Sequence, residues 1–128
     1  MKIIGIGVDI IQNSRMKKLI KNKSFINRTY GKNEVKFSKK KINKTNYFAK
    51  RFAAKEAFVK SLGTGFRNNL NLKDVEILND KIGKPYYFKS KKIINLVNKR
   101  FKIKNFSLFL SISDEKGYSV AFTILQSK

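Results

Sequence analysis

The chain has 128 residues, a length typical of one domain, and a formal charge of +22 with only eight acidic residues. It contains neither cysteine nor histidine, which excludes disulfides, thiolate metal sites and the usual histidine base or zinc ligand. Any chemistry must therefore use carboxylates, lysines, hydroxyl groups, the backbone or a hard metal ion.

The amino-terminal sequence predicts a buried strand over residues 2–11, which is rich in β-branched residues. Gly5 and Gly7 indicate close backbone packing, but they form only a fragment of a dinucleotide-binding motif. The strand also contains Asp9, whose ordinary interpretation is a strand-end residue that caps the following turn. Because Asp9 interrupts the apolar run and no run approaches the ~18–20 residues that span a bilayer, we expect a soluble cytoplasmic protein.

The next segments are short and basic. Asn13 or Ser14 is expected to cap a helix that ends near Ile20, and scattered apolar residues over 21–46 predict short helices and loops. Between Met16 and Lys50, twelve cationic residues accompany one glutamate, so this region forms the most basic surface of the chain.

Residues 46–62 give the clearest helix, rich in alanine, lysine and phenylalanine and free of glycine and proline. Asn46 or Thr45 is the expected N-cap, and Gly63 the expected end. Apolar residues cover most of the helix circumference. The helix is therefore predicted to be buried on several sides, either in its own core or at a subunit interface.

The remaining sequence predicts a hairpin, a helix and a second hairpin. "VEIL" and "PYYF" flank a turn at 79–83, residues 90–101 form an amphipathic helix, and "FSLFLSIS" and "YSVAFTIL" surround the loop "DEKG". This order predicts an α+β fold over residues 1–128, a single domain in which an antiparallel sheet packs on a long central helix.

Two of the eight carboxylates, Asp9 and Glu56, lie in the two most apolar segments. If both carboxylates were buried without partners, they would destabilise the fold or bind a proton. A divalent ion shared between them would neutralise their charge instead. Oxygen ligands without histidine or cysteine favour magnesium or calcium. The ordinary alternative for Glu56 is an ion pair with Lys60 one turn along the helix.

A glycine-rich stretch, "SLGTGF", follows the helix directly. Gly63, Thr64 and Gly65 could present backbone N–H groups to a phosphate. The ordinary interpretation is a helix C-cap followed by a turn, and a helix C-terminus repels anions unless a cation such as Lys60 offsets its dipole.

Four stretches together resemble a known family: "GIGVDIIQNSR", "RFAAKEAFVKSLGTGF", "NDKIGKP" and "SISDEKGYSVAF". They are similar to the holo-acyl-carrier-protein synthases, which belong to the 4′-phosphopantetheinyl transferases, and the resemblance runs from residue 3 to about residue 125. It implies transfer of phosphopantetheine from coenzyme A to a serine of an acidic apo-acyl carrier protein, a step of fatty acid biosynthesis. The other product is adenosine 3′,5′-bisphosphate.

The resemblance also implies roles for individual residues. Asp9 and Glu56 would hold Mg²⁺, and Glu56 and Lys60 would be catalytic. Members are typically trimers with the active site at the subunit interface, which would suit an apolar helix over 46–62. The implied coenzyme pocket comprises Arg51, Lys55, Lys60, Gly63, Thr64, Gly65, Gly83, Lys84 and Pro85, and the implied carrier-docking surface comprises Arg15, Lys18 and Lys21.

One position departs from many members of the family, which carry a histidine after the "SIS" strand. This chain has Asp114 and Glu115 there. The serine proton must then go to a metal-bound water, to Glu56, or to a group of the carrier.

Two other functions compete with this prediction. A small basic protein that binds RNA or the ribosome would use the charge and the aromatic residues, but it would not need Asp9 and Glu56. A membrane-surface adaptor would need a strongly amphipathic basic helix, and none stands out. We therefore expect neither nucleic acid nor a membrane among the partners.

Overall fold

The computed structural model describes residues 1–63 and 70–128, and it has the predicted α+β architecture. Over these residues, no helix is both long enough and apolar enough to serve as a bilayer-spanning segment. The elements are β1 (Lys2–Gln12), α1 (Asn13–Leu19), α2 (Lys23–Thr29), α3 (Lys32–Ser38), α4 (Lys44–Leu62), a 3₁₀ turn (Leu72–Asp74), β2 (Ile77–Asn79), β3 (Pro85–Tyr87), α5 (Lys91–Phe101), β4 (Phe106–Glu115) and β5 (Tyr118–Ser127).

The main sheet has three antiparallel strands in the order β1-β5-β4, and β2 and β3 form a separate hairpin. The long helix α4 packs against one face of the main sheet, mainly on β1 and β5. This confirms the predicted packing of an antiparallel sheet on a central helix.

The close approach of β1 to α4 depends on two glycines. A Cβ atom at Gly5 would overlap the carbonyl oxygen of Ser61, and one at Gly7 would overlap that of Ala57. Only glycine fits where two backbones come this close. The glycines therefore bring β1 directly onto the second half of α4, so that Asp9, two residues after Gly7, lies beside the helix.

Helix α4 is buried within its own chain. Of the two predicted environments, its own core and a subunit interface, the structure shows the first. Phe48, Ala53, Ala57 and Phe58 are almost completely inaccessible. The predicted N-cap at Asn46 or Thr45 is wrong, because the Asn43 side chain accepts the hydrogen bond from the Asn46 N–H at 2.9 Å. The predicted end is confirmed, since Gly63 adopts the left-handed conformation, with φ of 75°.

The basic segment after β1 forms the short helices α1, α2 and α3, as predicted. The predicted cap of α1 is wrong, because Gln12 occupies the N-cap position and makes no side-chain cap. Asn13 instead accepts a hydrogen bond from the Ser119 hydroxyl at 2.9 Å, so its side chain ties the start of α1 to β5.

The main sheet leaves its second face uncovered. Side chains alternate between the two faces of a strand, and the register places the apolar side chains of this second face side by side. Ile6, Val8 and Ile10 are 59%, 54% and 62% exposed. We call this surface the open sheet face, and it comprises Ile6, Val8, Ile10, Phe109, Val120, Phe122 and Ile124.

Candidate active site

Asp9 lies in the middle of β1, opposite Ala121 of β5, and β1 continues to Gln12. The interpretation of Asp9 as a strand-end cap is therefore wrong. Its carboxylate faces α4 and is 16% exposed, and Lys60 Nζ lies 3.0 Å from Asp9 Oδ1. The same ammonium group donates to the carbonyl oxygen of Val8 at 3.0 Å.

Glu56 lies one turn before Lys60 on α4 and is half-buried. Burial raises the pKa of the Glu56 carboxyl, and the negative charge of Asp9 raises it further, while Lys60 opposes both. Because the charge of Asp9 acts on the Glu56 carboxyl, the two carboxylates lie near each other. Among the described residues, the ion-pair partner of Lys60 is Asp9, across the gap between helix and strand, rather than Glu56.

The donor set of this site suits a hard divalent cation. Within residues 1–63 and 70–128, no cluster has three or more His, Cys, Asp or Glu side chains that could hold a metal ion. Asp9 and Glu56 would thus supply two carboxylates. Mg²⁺ commonly binds with one or two carboxylates and completes its octahedral shell with water and substrate phosphates, so these residues fit that ion.

A groove of about 370 Å³ opens at the amino-terminal half of α4. We call it the Arg51 groove. Arg51 is nearly buried there, with its guanidinium stacked over the Tyr47 ring at 3.8 Å from Cζ to the ring centroid, and Nη2 donates to Asn79 Oδ1. Its Nε is buried and has no hydrogen-bond partner among the described residues. The lining residues are Lys41, Ile42, Asn43, Asn46, Tyr47, Lys50, Arg51, Asn79 and Gly83.

Lys55, which was expected in the coenzyme pocket, lies in the core instead. Its side chain is 0% exposed and forms an ion pair with Glu34, whose side chain is also 0% exposed. The Lys55 ammonium also donates to the carbonyl oxygens of Leu72 at 3.2 Å and Val75 at 2.6 Å. All three ammonium donors have protein partners, so Lys55 has no surface to offer a ligand.

The other residues of the predicted coenzyme pocket lie in two places, the β2–β3 hairpin and the end of α4. Gly83 lies in the turn of the β2–β3 hairpin and lines the Arg51 groove, and the neighbouring Lys84 is exposed. Pro85 begins β3 opposite Asn79. Gly63 ends α4 on the side of Lys60, while Thr64 and Gly65 lie outside the described residues.

The three residues of the predicted docking surface are exposed and close in sequence. Arg15 and Lys18 lie three residues apart on α1, and Lys21 follows in the turn before α2. Asp114, at the position where many family members carry histidine, accepts a hydrogen bond from Asn46 Nδ2 at 2.7 Å. This contact joins β4 to the first turn of α4.

Sequence reasoning missed Glu34, Tyr47 and Asn79, all of which support Arg51 or Lys55. Glu34 had a usable signal, because it is the one acidic residue of the basic stretch between Met16 and Lys50. Tyr47 and Asn79 resemble ordinary helix and turn residues, and only the tertiary structure brings them to Arg51.

Comparisons with known proteins agree with the predicted family. A family model described as the 4′-phosphopantetheinyl transferase superfamily matches residues 5–123. A holo-[acyl-carrier-protein] synthase of Pelagibacter ubique (strain HTCC1062) is 57% identical over 128 residues, which is 100% of both chains. The crystal structure of a holo-(acyl-carrier-protein) synthase from Bacillus anthracis str. Ames in complex with CoA (3′,5′-ADP) is 35% identical, covers 100% of both chains and has a TM-score of 0.80. That of the synthase from Neisseria meningitidis is 34% identical, covers 98% of this chain and 99% of its own, and has a TM-score of 0.87. The chain therefore belongs to the 4′-phosphopantetheinyl transferase superfamily.

Proposed function

We propose that this protein transfers the 4′-phosphopantetheine group of coenzyme A to a serine of an apo-acyl carrier protein in fatty acid biosynthesis. The observation that carries the proposal is the pairing of Asp9 with Glu56 beside Lys60, on the same helix that holds Arg51 at a basic groove. The similar synthases act on acyl carrier proteins by name, and one is described in complex with CoA. A cytoplasmic location accompanies this proposal.

The reaction is a substitution at one phosphorus of the pyrophosphate of coenzyme A. The serine hydroxyl of the carrier attacks the phosphorus that carries the pantetheine arm, and the bond from that phosphorus to the bridging oxygen breaks. Adenosine 3′,5′-bisphosphate leaves with the bridging oxygen. Most of the catalysis in such a transfer is positioning and electrostatic stabilisation.

Glu56 is the group of the chain best suited to accept the serine proton. Asp9 is already engaged by Lys60 at 3.0 Å, whereas Glu56 has no ion-pair partner among the described residues, so one of its oxygens could accept the proton while the other holds the ion. A magnesium ion bound by Asp9 and Glu56 would neutralise the pyrophosphate oxygens. Lys60, whose side chain is 54% exposed, would stabilise negative charge on the transferring phosphate.

The Arg51 groove is proposed to bind the phosphate-bearing adenosine end of coenzyme A. Lys41, Lys50 and Arg51 supply positive charge, and the unpaired Nε of Arg51 supplies a buried donor. Charge-assisted hydrogen bonds from arginine to phosphate are among the stronger ones in proteins. Lys84 and Pro85, beside Gly83, would contact the coenzyme at the edge of this groove.

The carrier is proposed to dock on α1 and the following turn, through Arg15, Lys18 and Lys21. An acidic carrier complements an exposed basic surface, and long-range attraction accelerates the encounter. A chain with a charge of +22 supplies this attraction without a specific ion pair.

A trimer is proposed to form through the open sheet face rather than through α4. Helix α4 is enclosed by its own chain, whereas the open sheet face exposes Ile6, Val8, Ile10, Phe109 and Phe122. Exposed apolar surface of this kind marks interaction sites in soluble proteins. The patch carries no charged side chain, so a second copy of this chain complements it better than an acidic carrier does.

The experiment mixes the protein with coenzyme A, Mg²⁺ and an apo-acyl carrier protein, and follows the carrier by mass spectrometry. A gain of one phosphopantetheinyl group per carrier is expected, and it should disappear when the acceptor serine is replaced by alanine. No gain, together with tight and salt-sensitive binding of RNA, would favour the RNA-binding alternative instead.

A further inference from the structure

We infer that Glu34, which lies in the core, is a positioning residue for Arg51 and acts on it through Tyr47 and Asn79. This inference rests on the proposed function, because it treats the Arg51 groove as a coenzyme site. It concerns a residue that does not line the groove, and it assigns a purpose to the buried ion pair of Glu34 with Lys55.

Arg51 is held on two sides. The Tyr47 ring lies under the guanidinium plane, at 3.8 Å from Cζ, and the Asn79 side chain accepts from Nη2. A guanidinium that is stacked and hydrogen-bonded loses little further conformational freedom when it binds a phosphate. The placement of Tyr47 and Asn79 therefore determines where the guanidinium meets an anion.

Both partners of Arg51 are anchored at Glu34. The Tyr47 hydroxyl donates to the main-chain carbonyl oxygen of Glu34 at 2.6 Å. The N–H of Ile77, the first residue of β2, donates to Glu34 Oε2 at 3.2 Å, and Asn79 is the last residue of this three-residue strand. A shift of Glu34 would therefore move both the ring beneath Arg51 and the amide beside it.

The Glu34 carboxylate is itself held by several hydrogen bonds. Its Oε1 accepts from the Gly31 N–H at 2.9 Å and from the Lys55 ammonium. Lys55 in turn donates to the carbonyl oxygens of Leu72 and Val75, just before β2. Burial raises the pKa of Glu34 and lowers that of Lys55, so the charge of each group depends on its partner. The pair thus joins α3, α4 and the start of β2 into one rigid support.

The first test removes one hydroxyl. Tyr47→Phe deletes the hydrogen bond to Glu34 but keeps the ring under Arg51. Tyr87→Phe is the matched control, because the Tyr87 hydroxyl donates to the Ala54 carbonyl of the same helix, also at 2.6 Å, and contacts the Thr123 hydroxyl, while its ring packs on Phe58. We expect Tyr47→Phe to raise the KM for coenzyme A roughly threefold to tenfold with a nearly unchanged kcat, and Tyr87→Phe to leave this KM unaltered.

The second test is a double-mutant cycle. Glu34→Gln alone would leave the Lys55 ammonium buried without a counter-charge, so it is combined with Lys55→Met, which removes both charges. The combined variant should raise the KM for coenzyme A in the wild-type background. In an Arg51→Met background the same change should have almost no further effect on KM, because the residue it positions is gone.

Two results would overturn the inference: an equal change in KM for Tyr47→Phe and Tyr87→Phe, or a Glu34 effect that persists undiminished without Arg51. The wild-type protein in the same assay separates this outcome from a failure of the proposed function. A wild type that transfers phosphopantetheine, with equal KM values for the two tyrosine variants, rejects only the role of Glu34. A wild type without transfer rejects both proposals.

Discussion

Lys60 extends from α4 to β1 and places its ammonium group 3.0 Å from Asp9 Oδ1. The pair is only partly buried, and the same ammonium also binds the carbonyl oxygen of Val8. Lys60 therefore orients the Asp9 carboxylate, and Glu56 lies near enough for the charge of Asp9 to raise its pKa. The arrangement places one positive group beside two carboxylates, which suits the proposed binding of a metal–pyrophosphate complex.

We predict that Asp9→Asn and Glu56→Gln each lower kcat/KM by roughly 10²-fold or more, because each removes a charge that stabilises the transition state through the bound metal. The double variant should be barely worse than the more damaging single variant, since the two residues act as a unit. Steady-state transfer assays over a range of Mg²⁺ concentrations measure both effects.

Asp74→Asn is the matched control for these carboxylate variants. Asp74 also pairs with a lysine, since Lys92 Nζ lies 2.7 Å from its Oδ2. It lies in the 3₁₀ turn, outside the proposed site, and should keep wild-type activity. Near-normal, magnesium-dependent activity in both Asp9→Asn and Glu56→Gln would show that the metal binds elsewhere.

Reversing the charges of the docking surface should weaken binding of the carrier but not binding of coenzyme A. Replacing Arg15, Lys18 and Lys21 with glutamate is expected to raise the KM for the carrier, with a nearly unchanged KM for coenzyme A. Added salt should likewise raise the KM of the wild type for the carrier, because exposed charges are screened over ~8–10 Å at physiological ionic strength. Initial-rate kinetics at low and high salt make the comparison.

The control for this variant carries the same change in net charge on exposed positions of α5, at Lys91, Lys99 and Arg100. It should show a much smaller rise in the KM for the carrier. Equal effects of the two triple reversals would mean that the carrier responds to the overall field and not to α1.

The open sheet face should control the assembly state. Val8→Lys places a charge in the middle of this surface and is expected to convert the trimer into monomers, because an interface core tolerates charge poorly. Ile82→Lys is the matched control, since Ile82 is also exposed but lies in the hairpin turn. Sedimentation velocity at micromolar concentration distinguishes the species, and a wild type that is monomeric there would refute the proposed trimer.

Buried tyrosines should make the protein sensitive to alkali. Burial raises the pKa of Tyr30, Tyr47 and Tyr87 above the usual 10.0, so each binds its proton more tightly in the folded state than in the unfolded chain. Their contribution to stability is fully present below pH 10 and should be lost as the pH rises beyond it. Urea denaturation between pH 9 and pH 12 would record this loss, and Tyr87→Phe should reduce its slope while Tyr118→Phe, at an exposed position, should not.

Local patterns were sufficient for most elements. Strand β1, the end of α4 at Gly63 and the β2–β3 hairpin follow from β-branched residues, a left-handed glycine and a turn sequence. Asp9 and Glu56 were recognisable because acidic residues are scarce and both lie in apolar segments. The exact N-cap of α4 could not be predicted from the sequence, because Asn43, Thr45 and Asn46 are all good caps and only the packing of the helix selects one.

Two features depended on tertiary contacts that periodicity does not reveal. Arg51 and Lys55 lie one turn apart on α4, yet one lines a groove and the other is buried, because Glu34, 21 residues before Lys55, meets only the second. The prediction that β1 is a buried strand was wrong for one of its two faces. Its large residues, Ile6, Val8 and Ile10, face outward, while the glycines face α4, the reverse of the usual pattern.

The stacking of Arg51 on Tyr47 separates two kinds of positive charge in this chain. The chain has thirty lysines and arginines, and most of those that the structure describes are exposed and add to a general positive field. Arg51 is different, because a lysine ammonium is a point charge without a flat face to lie on the ring or a fork of donors for Asn79 and a phosphate. The role of Arg51 thus depends on molecular shape as well as charge, and Arg51→Lys, although it conserves charge, should impair the proposed transfer more than the reversal of a typical surface lysine.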